Sequence, residues 1–154
     1  MIAIIDYGVG TLFSLKSSLA AIGREAVVTG DRAVLRAASH VILPGVGAFG
    51  DAAARLRAAG MAEAVLEAAA AGKPVLGICL GMQLLLERSF EYGEHPGLGL
   101  IPGEVRPIRD VIPAGLAVPH MGWNALRFPA ERPRSPIFAA LEEGEHVYFV
   151  HSYA

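Results

Sequence analysis

The 154 residues contain one cysteine, Cys79. A single thiol excludes an internal disulfide, and nothing points to an oxidising compartment, so a cytoplasmic location is expected. Long apolar runs are also missing. The longest near-apolar stretch, Pro74 to Leu86, is interrupted by Gln83 and by glycines, and it falls short of the ~18 residues that span a bilayer. The opening Met1-Ile2-Ala3-Ile4-Ile5-Asp6 has no basic flank and meets an acid at once, so it reads as a first strand and not as a signal peptide. Charge of one sign is absent too. Thirteen Lys and Arg face fifteen Asp and Glu, a formal net charge of −2, and the basic residues form no run. That gives no field for nucleic acid, and neither a nucleic-acid nor a membrane partner is expected. Histidines do not cluster with the cysteine, so no metal and no cofactor is expected. There is no repeat, low-complexity tail or linker, which leaves a single domain over residues 1–154, long enough to bury a core.

What is abundant is apolar surface. The hydrophobic fraction is 53% and the mean hydropathy is +0.45. Either part of the surface is covered by a partner, or the many alanines inflate the score.

The pattern alternates short apolar strands with helices. Ile2–Ile5 is a β-branched run suited to burial on both faces. Thr11 is placed to cap a helix in which Leu12, Leu15, Leu19 and Ile22 recur at helical spacing, and Gly23 closes it. Strands are expected at Ala26–Thr29, His40–Leu43 and Pro74–Ile78, with a short helix from Asp31 to Ala38. Asp51 is expected to cap an Ala-rich helical stretch to Ala71, broken at Gly60, and a further helix runs from Gly81 to Arg88. After Glu91, Pro and Gly become frequent, and β-type runs occur at 104–108, 117–120, 125–128 and 146–153. The expected fold is α/β: an open, mostly parallel sheet with helices on both faces and an antiparallel extension in the C-terminal half. In such a sheet ligands bind beyond the carboxyl ends of the strands. Three loops occupy that position: 6–10, 44–50 and 77–81.

The last of these carries the sharpest motif. Gly77-Ile78-Cys79-Leu80-Gly81 frames the cysteine as G-x-C-x-G between a strand and a helix. This is a thiol version of the nucleophile elbow, a strained turn whose flanking positions are too crowded for a Cβ. A carbonyl attacked there needs donors for its oxyanion, and the Leu80 N–H is the natural first one. Pro44-Gly45-Val46-Gly47-Ala48-Phe49-Gly50 leaves backbone amides free to supply a second donor and a substrate cradle. Gln83, four residues after Cys79, shares its helix face. Asp6-Tyr7-Gly8-Val9-Gly10 fails the dinucleotide fingerprint, because Phe13 stands where the third glycine belongs. Among the histidines His40 and His95 lack a compelling context, and His146 and His151 lie on the last strand. His120 precedes Met121-Gly122-Trp123-Asn124, read as an exposed aromatic turn of the kind found in contact surfaces.

With these residues in place, the chain is similar to the class I, triad-type glutamine amidotransferases. Gly77-Ile78-Cys79-Leu80-Gly81-Met82-Gln83 resembles their nucleophile motif. The segments at 6–10, 44–49, 119–124 and 148–153 extend the likeness over the whole chain, and together they single out a member that works beside a cyclase. The resemblance implies hydrolysis of glutamine to glutamate and ammonia through a cysteine thioester. The ammonia passes to a cyclase subunit in a heterodimer. Cys79 is then the nucleophile, with Val46 and Leu80 carrying the oxyanion amides. Gly45, Gly47 and Gln83 hold glutamine, and the backbone near Ser152 and Tyr153 receives its α-carboxylate and amine. Met121, Gly122, Trp123, Asn124 and Tyr148 face the cyclase. Two features depart from the family. Thr11 stands where asparagine is usual, and the family's catalytic His and Glu belong to an H-x-E motif beyond the H-S-Y strand. That motif would follow Ala154, so the domain is expected to be cut short there, and the base is not transferred to His151. Two alternatives stay open: a donor domain of an amidotransferase feeding anthranilate, carbamoyl phosphate or guanylate synthesis, and a non-catalytic partner module of the same fold.

Overall fold

The computed structural model describes residues 1–154, which divide into two compact units, 1–106 and 107–154. The first is built on a four-stranded parallel sheet. Its strands are β1 (Ile2–Ile5), β2 (Ala26–Thr29), β3 (His40–Leu43) and β4 (Val75–Gly77), in the order β2-β1-β3-β4. Ile2–Ile5 pairs with Ala26–Thr29 on one side, and Ile2–Ile4 with His40–Ile42 on the other. Helices α1 (Leu12–Ala21), α2 (Arg32–Ala37), α3 (Phe49–Ala58), α4 (Met61–Ala70) and α5 (Leu80–Leu84) make the connections. Successive strand residues point to opposite faces. Ala3, Ile4 and Ile5 are all buried, as are Val41, Ile42 and Leu43, so both faces of the central strands are covered. This is the physical content of their unbroken apolar runs, each buried Ile, Leu or Val side chain stabilising the fold by about 1.5–3 kcal/mol. The strand order reverses between β1 and β3, which puts the loops after those strands at the topological switch point.

Several helix ends differ from expectation. Thr11 sits at the N-cap of α1 but makes no side-chain capping bond. Asp31 does cap α2, accepting from the Ala33 N–H at 2.7 Å. Asp51 is not a cap: α3 begins at Phe49, so Gly50 is helical and Asp51 lies in the first turn. The capping carboxylate comes from Glu91, whose Oε2 accepts the Phe49 N–H at 2.6 Å. An acid 42 residues away satisfies an orphan amide, and local sequence carries no sign of it. Gly60, at φ +68, separates α3 from α4 as expected. The helix after the cysteine is shorter than 81–88. Segment 97–101 folds back on its end: Leu98 donates to the Leu84 carbonyl, and Leu100 to that of Leu85, both at 2.9 Å. With those acceptors taken, Arg88–Ser89 becomes a strand, β5. It pairs antiparallel with β6 (His95–Pro96) and parallel with β7 (Glu104–Val105).

The second unit is an antiparallel ribbon of β8 (His120–Ala125) and β9 (His146–His151), paired from His120 with His151 to Ala125 with His146. Two short 3-10 turns, 108–110 and 136–138, accompany it. The β-type runs at 117–120 and 125–128 are thus replaced by one strand between them. The expected aromatic turn at His120–Asn124 lies on that strand. Pairing over six residues with β9 outweighs the local signal of Gly122, a residue depleted in strands.

Candidate active site

Three loops leave the carboxyl ends of β1, β3 and β4, and the first unit draws them together. The Tyr7 hydroxyl donates to the Pro44 carbonyl at 2.7 Å. Tyr7 is only 6% exposed, and burial pushes its pKa up to about 12. A Cβ on Gly10, which sits at φ +116, would approach the Pro44 ring to 3.0 Å. Gly45 in turn lies against the third loop: a Cβ there would be 2.6 Å from the Gly81 nitrogen and 3.0 Å from the Leu80 carbonyl carbon. The glycine segment is therefore braced on one side by Tyr7 and on the other by the turn that holds the cysteine.

Cys79 stands at that turn with φ +55 and ψ −119, at the N-cap of α5. A non-glycine residue held there stores roughly 1–3 kcal/mol of strain, and the surroundings show what enforces it. A Cβ on Gly77 would meet the Met82 backbone nitrogen at 2.6 Å, and one on Gly81 would meet the carbonyl carbon of Leu43 at 2.8 Å. Both flanking positions must be glycine for α5 to close so tightly onto β3 and β4. The thiol is free and exposed. Gly81 donates back to the Ile78 carbonyl and Met82 to that of Cys79, each at 3.0 Å. Leu80 contributes the first amide of the helix, ahead of any intrahelical acceptor.

Of the residues singled out by sequence, Gly45, Cys79, Leu80 and Gly81 are brought into direct proximity. Val46 is half exposed, and Gly47, at φ +91, has open space where a side chain would be. A backbone free on that side can turn a peptide toward a substrate. Gln83 is half-buried on α5, its N–H directed to the Cys79 carbonyl at 3.3 Å. Tyr7 and Glu91 were not singled out as site residues. Tyr7 lies in a quoted motif, but its partner is 37 residues away, and nothing local marks Glu91. The groove of about 570 Å³ lined by Met1, Lys16, Arg24 and Val27 lies at the amino ends of β1 and β2, not at these loops.

The remaining singled-out residues belong to the second unit. Strand alternation divides the five partner-facing candidates. Met121, Trp123 and Tyr148 share one face with Val150, all more than half exposed, and the Trp123 and Tyr148 rings meet edge to face at 5.5 Å. Gly122 and Asn124 lie on the opposite face, with His120, Phe149 and His151. Ser152 and Tyr153 follow β9. The Ser152 carbonyl accepts from the Ile108 N–H at 3.0 Å, and Tyr153 bridges to Pro107. Both ring nitrogens of His151 are engaged, Nδ1 with the Tyr153 carbonyl and Nε2 with His120, each at 3.0 Å. That is the setting of a structural imidazole.

An exposed thiol at a positive-φ turn, flanked by obligate glycines and braced by a glycine loop at the switch point of a parallel sheet, defines a nucleophile-elbow protein. The family model for glutamine amidotransferase class I matches residues 3–154, and the chain belongs to that family. Curated relatives narrow the likeness. A protein of Sulfurimonas denitrificans is 52% identical over 154 residues, covering 99% of this chain and 72% of its own. One from Wolinella succinogenes is 49% identical over 99% of this chain and 74% of its own, and one from Moorella thermoacetica is 51% identical over 99% and 69%. All three are named imidazole glycerol phosphate synthase subunit HisH. A solved structure described as a glutamine amidotransferase superposes with a TM-score of 0.70 at 19% identity, covering 97% of this chain and 71% of that one, which supports the fold.

Proposed function

We infer that the chain is the glutaminase subunit of an imidazole glycerol phosphate synthase and works in histidine biosynthesis, with Cys79 as its nucleophile. The observation that carries the site assignment is the exposed Cys79 at φ +55 between Gly77 and Gly81, with Gly45 packed on the same turn. The Cys79 sulfur attacks the side-chain amide carbon of glutamine. The carbonyl π electrons move to oxygen, and the Leu80 and Val46 amides stabilise the oxyanion that forms. As the carbonyl re-forms, the C–N bond breaks and the nitrogen leaves, protonated, as ammonia. A γ-glutamyl thioester remains, and water cleaves it to glutamate and the free thiol. By motif likeness Gly45, Gly47 and Gln83 hold the substrate, and the Ser152–Tyr153 backbone takes its α-carboxylate and amine.

The partner in this reading is a cyclase subunit, joined as a heterodimer. Ammonia is channelled to it and consumed in a lyase-type step that yields imidazole glycerol phosphate and aminoimidazole carboxamide ribotide. The exposed Met121, Trp123, Tyr148 and Val150 face supports such a surface: four large apolar side chains on one side of a two-stranded ribbon. The whole of residues 1–154 acts as one amidotransferase domain, in keeping with the span of the family match. A nucleophile that must stay a free thiol suits the cytoplasm, where we place the reaction.

Glutamate release from glutamine, measured with the cyclase subunit present, tests the assignment. Cys79→Ala is expected to abolish turnover while the chain stays folded. A variant as fast as the parent overturns it.

A further inference from the structure

The glycine segment of the first unit is tied down at both ends. At its start the Pro44 carbonyl accepts from the Tyr7 hydroxyl at 2.7 Å. At its end the Phe49 N–H donates to Glu91 Oε2 at 2.6 Å. Between them Gly45 packs on the elbow, while Val46 is half exposed and Gly47, at φ +91, has open space where a side chain would be. Ala48, the N-cap of α3, has no side chain that can accept the first helical amides. The acceptor for Phe49, whose own ring is fully buried, therefore comes from elsewhere in the chain.

Glu91 is delivered to that amide by a fixed backbone. Its own N–H donates to Ser89 Oγ at 3.2 Å, and Ser89 is fully buried. Phe90, between them, donates to the Val105 carbonyl at 2.9 Å. Farther along, Arg57 near the end of α3 donates to the Pro96 and Gly97 carbonyls at 2.7 and 3.1 Å. Residues 89–97 thus run as a strap along α3, held at the helix start by Glu91 and near its end by Arg57. A bond to a carboxylate is roughly twice as strong as a neutral one, and a negative group at a helix N-terminus complements the helix dipole. Val46 is three residues before Phe49. Three steps of about 3.8 Å join their Cα atoms, so the position of Phe49 limits where the Val46 peptide can go.

We propose that Glu91 is a positioning residue for the oxyanion loop: by holding the Phe49 N–H it fixes the far end of the glycine segment, and with it the Val46 amide. This rests on the glutaminase reading above, in which that amide is an oxyanion donor. Glu91 acts through Phe49 and Val46. Its loss is felt where charge develops on the carbonyl oxygen, in the transition state and not in the bound substrate. The expected signature is a lower kcat at unchanged KM.

The test has two arms, both on the full-length protein with its cyclase subunit. In the first, ¹H–¹⁵N spectra follow the Phe49 amide. Its proton is expected to move upfield in Glu91→Ala, and an unmoved resonance overturns the proposal. In the second, Glu91→Ala is expected to lower kcat about tenfold, less than the ~10²–10³-fold of deleting a donor outright, with KM for glutamine within about twofold. Glu91→Gln, whose amide oxygen still accepts from Phe49, should recover most of that loss. Glu91→Asp keeps the charge but is one methylene short of the amide. It should show the same split as alanine, and it carries the test if the alanine variant does not fold. A parent-like kcat in the folded variant, or Glu91→Gln no better than alanine, overturns the proposal. So does a raised KM at the parent's kcat, which would make Glu91 a direct substrate contact. If Cys79→Ala is inactive in the same assay, such a failure leaves the glutaminase reading intact. If Cys79→Ala is active, the glutaminase reading fails by itself, and with it the role given to Glu91.

Discussion

Gly45 can be changed with a worked expectation. Its backbone is not in the left-handed region, so alanine there meets only a steric problem. The new Cβ would sit 2.6 Å from the Gly81 nitrogen and 3.0 Å from both the Leu80 carbonyl carbon and Cβ, where ordinary contact begins at 3.4 Å. The loop and the elbow must separate by 3.4 − 2.6, about 0.8 Å. Two of those three atoms are backbone, so no rotamer change relieves the clash. Overpacking of this kind costs about 1–3 kcal/mol. The lower entropy of an unfolded chain with alanine offsets about 0.4–1 kcal/mol of it. A net loss of about 1–2 kcal/mol is expected in urea unfolding. Turnover should suffer more, because a misplacement near 1 Å between nucleophile and oxyanion donors costs on the order of 10²-fold. Gly50→Ala is the matched control. Its Cβ meets an atom at a similar distance, 2.7 Å, but that atom belongs to the His95 ring, which can swing aside, and Gly50 is in a helix. It should be neutral or stabilising by up to about 1 kcal/mol. A Gly45→Ala protein with the parent's unfolding midpoint and turnover would refute the claim that the glycine loop is braced on the elbow.

Two further outcomes are expected. Because burial raises Tyr7 from 10.0 to about 12, the folded state holds that proton more tightly than the unfolded chain. The resulting stability is complete below pH 10 and is lost as pH climbs from 10 through 12, by about 2–3 kcal/mol. Urea midpoints between pH 9 and about pH 11 should fall more steeply for the parent than for Tyr7→Phe, and equal slopes refute the assignment. Trp123, 67% exposed and set against Tyr148, should act as a central anchor. Trp123→Ala is expected to weaken binding to the cyclase subunit by ~2 kcal/mol, about 30-fold, in calorimetry, and unchanged affinity makes it an ordinary surface residue.

Much of the first unit was legible from residue order. Continuous β-branched runs require burial on both faces, and Ile2–Ile5 and His40–Leu43 became central parallel strands. The G-x-C-x-G frame named the elbow, although its constraint is local on one side only: a Cβ on Gly77 would meet Met82 in the turn itself, while one on Gly81 would meet Leu43 on the neighbouring strand. Caps and helix lengths were less legible where the partner is remote. Asp31 caps through its own neighbour two residues on, while the amide at the start of α3 waits for Glu91 and α5 ends where segment 97–101 takes its carbonyls.

Residues 120–124 mark the boundary. Their composition reads as an exposed aromatic turn. Strand pairing decided otherwise, and with a period of two it sends Met121 and Trp123 to one face and His120 and Asn124 to the other. Sequence by itself determined which atoms can do chemistry at residue 79, because that depends on bonds and neighbours along the chain. Tertiary structure alone decided what braces the glycine loop, because the Tyr7 hydroxyl meets the Pro44 carbonyl 37 positions away and the Phe49 N–H meets the Glu91 carboxylate 42 positions away.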